Sequence, residues 1–199
     1  VIVYAEPSFG ITTLLLTLAR AVVFSAGKTV HFFDVQDGIH TAESMGLFEK
    51  PLNSSSQFVY KRLGRIEDLV STMDDFFSSS DELAIIDGLD FLSHLSRDER
   101  PCTTSRELSG SVDGLYAHVF KWMRAELLET GKIIVMSISL RNQSSAYSCG
   151  TNTLTPGCAS VLKSLATFQC RLIENRLEAK VKIADSKQLI LDVEKNRRW

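Results

Sequence analysis

No C-x-x-C pair occurs in this sequence, and none of Cys102, Cys149, Cys158 and Cys170 has a histidine nearby at zinc-ligand spacing. A structural zinc site is therefore not expected, and the thiols read as reduced, as in an intracellular protein. No stretch of about 18 or more apolar residues is present, which excludes a membrane-spanning helix. The apolar opening carries Glu6 and Pro7 and lacks a basic start and a small-residue cleavage site, so it does not read as a signal peptide. The chain opens on Val1 rather than a methionine, which leaves room for residues upstream. An excess of one charge sign is also missing. The 22 basic and 24 acidic side chains leave a formal charge of −2, too balanced for a surface built wholly for nucleic acid, although a local basic patch is compatible with it.

Apolar residues make up 44% of the chain and charged residues 23%, which is too apolar for disorder. The 199 residues suit about one domain, with no internal repeat and no linker to divide it. Val1 to Ala5 is short, β-branched and apolar, the pattern of a strand buried in a parallel sheet. Glu6 to Gly10 reads as a turn, Ile11 to Ser25 as a helix closed by Gly27, and Thr29 to Val35 as a second strand. Strand, helix and strand within so short a span form a βαβ crossover, which requires a parallel sheet.

The alternation continues. Ile66 to Phe77 is an amphipathic helix with Ile66, Leu69, Val70 and Met73 on one face, and Leu83 to Ile86 is another buried strand. Ser93 to Asp113 reads as a mobile loop, Leu115 to Thr130 as a helix, and Lys132 to Ile138 as a fourth strand. Arg141 to Gly157 is a long polar loop. Thr167 to Ile173, Ala179 to Ala184 and Leu189 to Glu194 then read as antiparallel strands. The expected fold class is α/β: a mainly parallel sheet flanked by helices and finished by antiparallel strands.

A strand, a glycine-containing turn and a helix together make a phosphate-binding element, because free amides at the helix N-terminus attract anions. Ala5 to Thr13 lies in register with the phosphate-loop pattern G-x-x-x-x-G-K-[ST]: Ala5 at the first glycine, Gly10 at the second, Thr12 at the magnesium-binding hydroxyl and Thr13 beside it. Ile11 stands where the lysine belongs, and an aliphatic side chain supplies no charge to bridge the β- and γ-phosphates. The alternative, an ordinary β–α turn, stays open. Independently, Leu83 to Asp87 is an apolar run ending in a carboxylate, the form of a Walker B strand that presents aspartate to magnesium at the sheet's carboxyl edge.

In these features the chain resembles the RecA superfamily, and most closely the eukaryotic strand-exchange recombinases and their paralogues. Gly27 to Gln36 resembles the family's second core strand, with Gln36 in the place of the glutamate that activates water. Ile66 to Ser71 resembles the helix before Walker B, and Arg106 to Gly131 the Arg-rich helix with its following strand. Glu178 to Ser186 is similar to the hairpin that closes the core. Each motif is eroded, and no Phe-x-x-Ala polymerisation motif is present. The resemblance implies one RecA-like core over residues 1–199, with a degenerate Walker A near 5–13, Walker B near 83–87 and a DNA loop at 141–157. It implies that Gly10, Ile11, Thr12, Thr13, Gln36 and Asp87 form the remains of a nucleotide site, and that Arg141, Asn142, Gln143 and Tyr147 contact single-stranded DNA.

Loss of both the lysine and the catalytic glutamate makes the expected protein a pseudo-ATPase rather than an enzyme. No catalytic residue, metal or cofactor is expected, with residual ATP binding as the alternative. The expected role is a nuclear subunit that pairs with another recombinase paralogue and remodels or stabilises a recombinase filament on single-stranded DNA during recombination repair. A structural RecA-like subunit of an Elongator-type ring is the competing reading. Lys61, Arg62 and Arg65, and the terminal Lys195, Arg197, Arg198 and Trp199, read as solvated basic clusters. His31, His40, His94 and His118 carry no catalytic or metal assignment.

Overall fold

The computed structural model describes residues 1–5, 10–35, 37–40, 52–89, 92, 105–139, 168–173, 176–182 and 188–194. Strand β1 (Ile2–Ala5) leads to helix α1 (Ile11–Arg20), which is prolonged by a π-helical turn over Ala21–Ser25. Strand β2 (Val30–Asp34), a short 3-10 turn (Leu52–Ser54), β3 (Phe58–Arg62), α2 (Ile66–Ser78) and β4 (Leu83–Asp87) follow. Helix α3 (Ser105–Thr130) and strands β5 (Ile133–Ser139), β6 (Phe168–Ile173), β7 (Arg176–Lys182) and β8 (Gln188–Glu194) complete the described order.

The strands form one sheet in the order β3-β2-β4-β5-β1-β6-β7-β8. From β3 across to β6 all pairings are parallel; β7 and β8 are antiparallel additions. This is the α/β architecture that the sequence implies, with helices over a mainly parallel sheet and a closing hairpin. Two details differ. Strand β6 is parallel to β1 on one side and antiparallel only to β7, so it ends the parallel sheet instead of beginning a separate antiparallel one. Strand β3 has no counterpart in the sequence reading, because its outward positions Val59, Lys61 and Arg62 are exposed and polar enough to resemble a surface cluster. It is the sheet's first edge, where lysine and arginine discourage pairing with another chain.

Alternation along each strand divides the core into two layers. Ile2, Phe33, Ala84, Ile86, Ile134 and Ile138 face one layer, covered by Leu69, Met73 and Phe76 of α2 and by Tyr116, Val119, Phe120 and Met123 of α3. Val3, Phe32, Ile85 and Val135 face the other, covered by Leu15, Leu16, Ala19 and Val23. Helix α2 turns differently from the simple reading: Val70 is exposed, and Thr72, Phe76 and Phe77 are buried in its stead. Its first turn is fixed by Asp68 Oδ2, which accepts the amides of Gly64 (3.2 Å) and Arg65 (2.9 Å). At its far end Lys132 Nζ donates to the carbonyls of Phe76 and Ser79, each at 2.6 Å, and lies 4.8 Å from the Phe76 ring centre. Helix α3 begins at Ser105, ten residues before the expected Leu115, so much of the polar stretch read as a loop is helical. Among the described residues no helix is long and apolar enough to cross a membrane.

Candidate functional site

The order β4-β5-β1 sets the strand bearing Asp87 two places from the strand that leads to α1, with β5 between. Ligands of open α/β sheets bind at the carboxyl ends of such strands, where connections depart to opposite faces. Gly10 caps α1 in the left-handed region (φ 78°), and no side chain caps the helix or places an acid in its first turn. The α1 amides at that edge thus retain a polarity suited to an anion. Ile11, however, is half-buried and packs against the core layer containing Val3 and Leu15. The position that would carry an ammonium toward phosphate is used here for packing.

Asp87 is buried at the end of β4, directly in register with Asp34 of β2. The Ser137 hydroxyl donates to Asp87 Oδ1 at 2.6 Å, and the Gly88 amide donates to Ser137 Oγ at 2.7 Å. The Thr12 hydroxyl also lies toward this carboxyl and favours its charged form, yet Oδ2 accepts no well-formed hydrogen bond among the described residues. Burial pushes the Asp87 carboxyl above the ordinary range; Ser137 and Thr12 oppose the shift, and the charge of Asp34 adds to it. Asp34 Oδ2 in turn accepts the amide of Ile39 at 3.1 Å.

Residues 37–40 close over this edge. A Cβ on Gly38 would stand 2.6 Å from Thr12 Cγ2 and 3.4 Å from Asp87 Oδ2, so only glycine fits that approach. Asp37 has a left-handed backbone (φ 62°), uncommon for a residue with a side chain. The Tyr60 hydroxyl donates to Asp37 Oδ1 at 3.5 Å, His40 Nε2 lies 3.7 Å from Oδ1, and Arg62 lies 3.9 Å from Oδ2. Burial first, then the charges of Asp34 and Asp37, push the Tyr60 hydroxyl up to about 12.

The structure therefore brings Thr12 and Asp87 together, with Gly10, Ile11 and Thr13 on the adjoining helix start. Gln36 lies outside the described residues, as do Arg141, Asn142, Gln143 and Tyr147 and the terminal basic cluster. Lys61, Arg62 and Arg65 are exposed. Ser137 was missed by sequence reasoning, although a single hydroxyl inside the apolar run Ile133 to Ile138 is a usable signal. Gly38 carries no such signal, since its role depends on a contact across the fold. A hydroxyl and a carboxylate of these types fit a magnesium ion, which would neutralise phosphate charge when bound; Ile11 does not fit the triphosphate that usually accompanies it.

No protein-family model matches the chain, and no curated protein matches it in sequence. Among solved structures, it is similar to a KaiC-like protein, PH0186, from the hyperthermophilic archaeon Pyrococcus horikoshii OT3. The likeness has a TM-score of 0.60 at 10% identity, over 96% of this chain and 82% of that one. At that identity it defines the class of fold, a RecA-like α/β core, and nothing finer.

Proposed function

We propose that this chain is a single RecA-like core acting without catalysis: a recombinase-paralogue subunit that pairs with another paralogue and stabilises or remodels a recombinase filament on single-stranded DNA. The observation that supports it best is Ile11, a half-buried aliphatic side chain packed against the core at the one position where such a site needs a phosphate-binding ammonium. Gln36 in place of a basic carboxylate supports the same reading from the sequence, since an amide cannot polarise water. A core of this kind without turnover has its surfaces left to act with, and related domains stack one upon another. Contact with DNA is assigned to Arg141, Asn142, Gln143 and Tyr147, and the location to the nucleus, on the resemblance alone.

Native mass spectrometry of the complex isolated from cells tests the proposal, because it reports partner, stoichiometry and bound nucleotide together. One recombinase-like partner in equal stoichiometry is the expected result. A hexameric ring of sister subunits would instead establish the Elongator-type reading, and brisk triphosphate turnover by the isolated chain would end the non-catalytic one.

A further inference from the structure

Ser78, Ser79 and Ser80 close α2 and run directly into Asp81 and Glu82. In and just after α2, a serine followed three positions later by an acid occurs at Ser71, Ser78 and Ser79. The structure separates these three. Ser71 lies inside the helix, and its hydroxyl donates to the Asp68 carbonyl at 3.2 Å. Ser79 caps the helix: its hydroxyl donates to the Phe76 carbonyl at 2.8 Å and accepts the Asp81 amide at 3.2 Å. Ser78 takes neither role and is exposed at the last position of α2. At Ser79 the backbone becomes extended (φ −77°, ψ 171°), which carries the chain out of the helix toward Asp81, Glu82 and β4. The acids beyond Ser78 are open to exchange. Glu82 pairs with Lys28 where both side chains are more than half exposed, a pairing that contributes little. Asp81 lies 2.7 Å from His31 Nε2, with 27% of its side chain exposed. Asp74 and Asp75 add exposed carboxylates one turn before Ser78.

We propose that Ser78 is a phosphorylation site for a serine kinase that reads acidic residues on the carboxyl side of its acceptor. In the transfer, Ser78 Oγ bonds to the γ-phosphorus of a nucleoside triphosphate that the kinase holds with magnesium. The bond from that phosphorus to the β–γ bridging oxygen breaks, the diphosphate leaves, and the hydroxyl proton passes to the kinase's base. The product places about −1.5 to −2 charges at the carboxyl end of α2, where the helix dipole is already negative. Asp74, Asp75, Asp81 and Glu82 border the same turn, and the cations that reach it are already engaged: Lys28 by Glu82, His31 by Asp81, and Lys132 by two carbonyls. Phosphate there is repelled more than it is paired, so it loosens the end of α2 from β2 and β5. The inference is independent of the partner, of bound nucleotide and of turnover by this chain.

The test is incubation of the full chain with magnesium ATP and casein kinase 2, which reads acids in this way, followed by tandem mass spectrometry and a thermal melt of the product. Phosphate is expected on Ser78, with Ser71 and Ser79 spared. Ser78→Ala should lower incorporation at least about tenfold and Asp81→Asn at least about fivefold, since the acceptor or a charge that the kinase reads is gone. Ser71→Ala should leave incorporation unchanged. The phosphorylated chain should melt about 2–4 °C below the unmodified one. Absence of incorporation, phosphate mapped mainly to another residue, or incorporation that survives Ser78→Ala or is indifferent to Asp81→Asn would each overturn the site. A melting temperature that stays level or rises would overturn the loosening of α2. Because Ser78 is exposed, Ser78→Ala is expected to keep the fold, and its own melt verifies that. Failure here leaves the non-catalytic reading as it stands, whereas failure of that reading would appear as turnover or as a different assembly.

Discussion

Ser137 donates its hydroxyl to Asp87 Oδ1 at 2.6 Å while accepting the Gly88 amide at 2.7 Å, so one side chain on β5 ties together the end of β4 and the backbone that follows it. The bond stabilises the Asp87 carboxylate through Oδ1, and the Thr12 hydroxyl adds a weaker stabilisation of the charge. Oδ2 accepts no well-formed hydrogen bond among the described residues, and burial dominates.

Asp87→Asn should therefore stabilise the fold at neutral and alkaline pH. A buried acid whose folded-state pKa is raised binds its proton more tightly in the native protein than in the unfolded chain. Its penalty is absent below the ordinary value of 3.8, grows as pH rises above it, and is complete above the folded-state value. Calorimetry at pH 3 and pH 8, one below and one well above the ordinary value of 3.8, should show a larger gain in melting temperature at pH 8, at about 2–4 °C for each ~1 kcal/mol in a domain of this size. Equal or smaller gain at the higher pH would refute the assignment of a strained charge.

Ile11→Lys should restore part of what the phosphate loop lacks. A lysine reaching out from the start of α1 supplies the charge that phosphate oxygens require, and titration with a fluorescent triphosphate should show binding at least about tenfold tighter. Release of labelled phosphate should nevertheless stay at background, because Gln36 offers no base. Turnover in the single variant would show that another residue fills that role.

Two lysines provide a contrast in stability. Lys28 pairs with Glu82 where both side chains are more than half exposed, 57% and 67%, so Lys28→Ala should alter stability by less than about 0.5 kcal/mol. Lys132 binds two carbonyls at the end of α2 and lies over the Phe76 ring, so Lys132→Ala should cost about 1–2 kcal/mol. Urea unfolding of the two variants side by side separates them.

Leu16 is fully buried between α1 and the sheet, and Leu16→Ala should cost about 2–5 kcal/mol, the loss of transferred surface together with the cavity left behind. The same truncation at Leu128, which is 77% exposed, should change stability by no more than about 0.5 kcal/mol. Thermal melts of both variants test the placement of α1 against the core.

Much of the sheet was legible because buried parallel strands are written as short apolar runs. Val1 to Ala5, Thr29 to Val35, Leu83 to Ile86 and Lys132 to Ile138 all became strands, with bounds shifted by a residue or so. Gly10 was legible as the glycine before α1, where it takes a positive φ, and Thr12 and Asp87 fall on a helix and a strand as their surroundings in the sequence indicate. Strand β3 was hidden because an edge strand has one exposed side and basic guards, so its pattern is that of a surface. The first turns of α3 were hidden because Ser105 to Asp113 is mostly polar and contains Gly110, so local composition there favours a loop. Val70 was misplaced because four apolar residues define a helix face only loosely, and Phe76 and Phe77 turned it toward their own larger surface.

The amino-acid order alone determined that the chain alternates strands and helices, that a glycine stands before α1, and that Ile11 follows it where a phosphate loop would carry lysine. These are local matters of hydrophobic period, backbone freedom and side-chain charge. Only the tertiary structure decided that Asp34 and Asp87 stand side by side, that Ser137 supports one of them, and that Gly38 lies against Thr12 with Asp37 fastened to β3. Those contacts join residues far apart in the chain, and their geometry is set by how the strands order and register within the sheet, which no local pattern encodes.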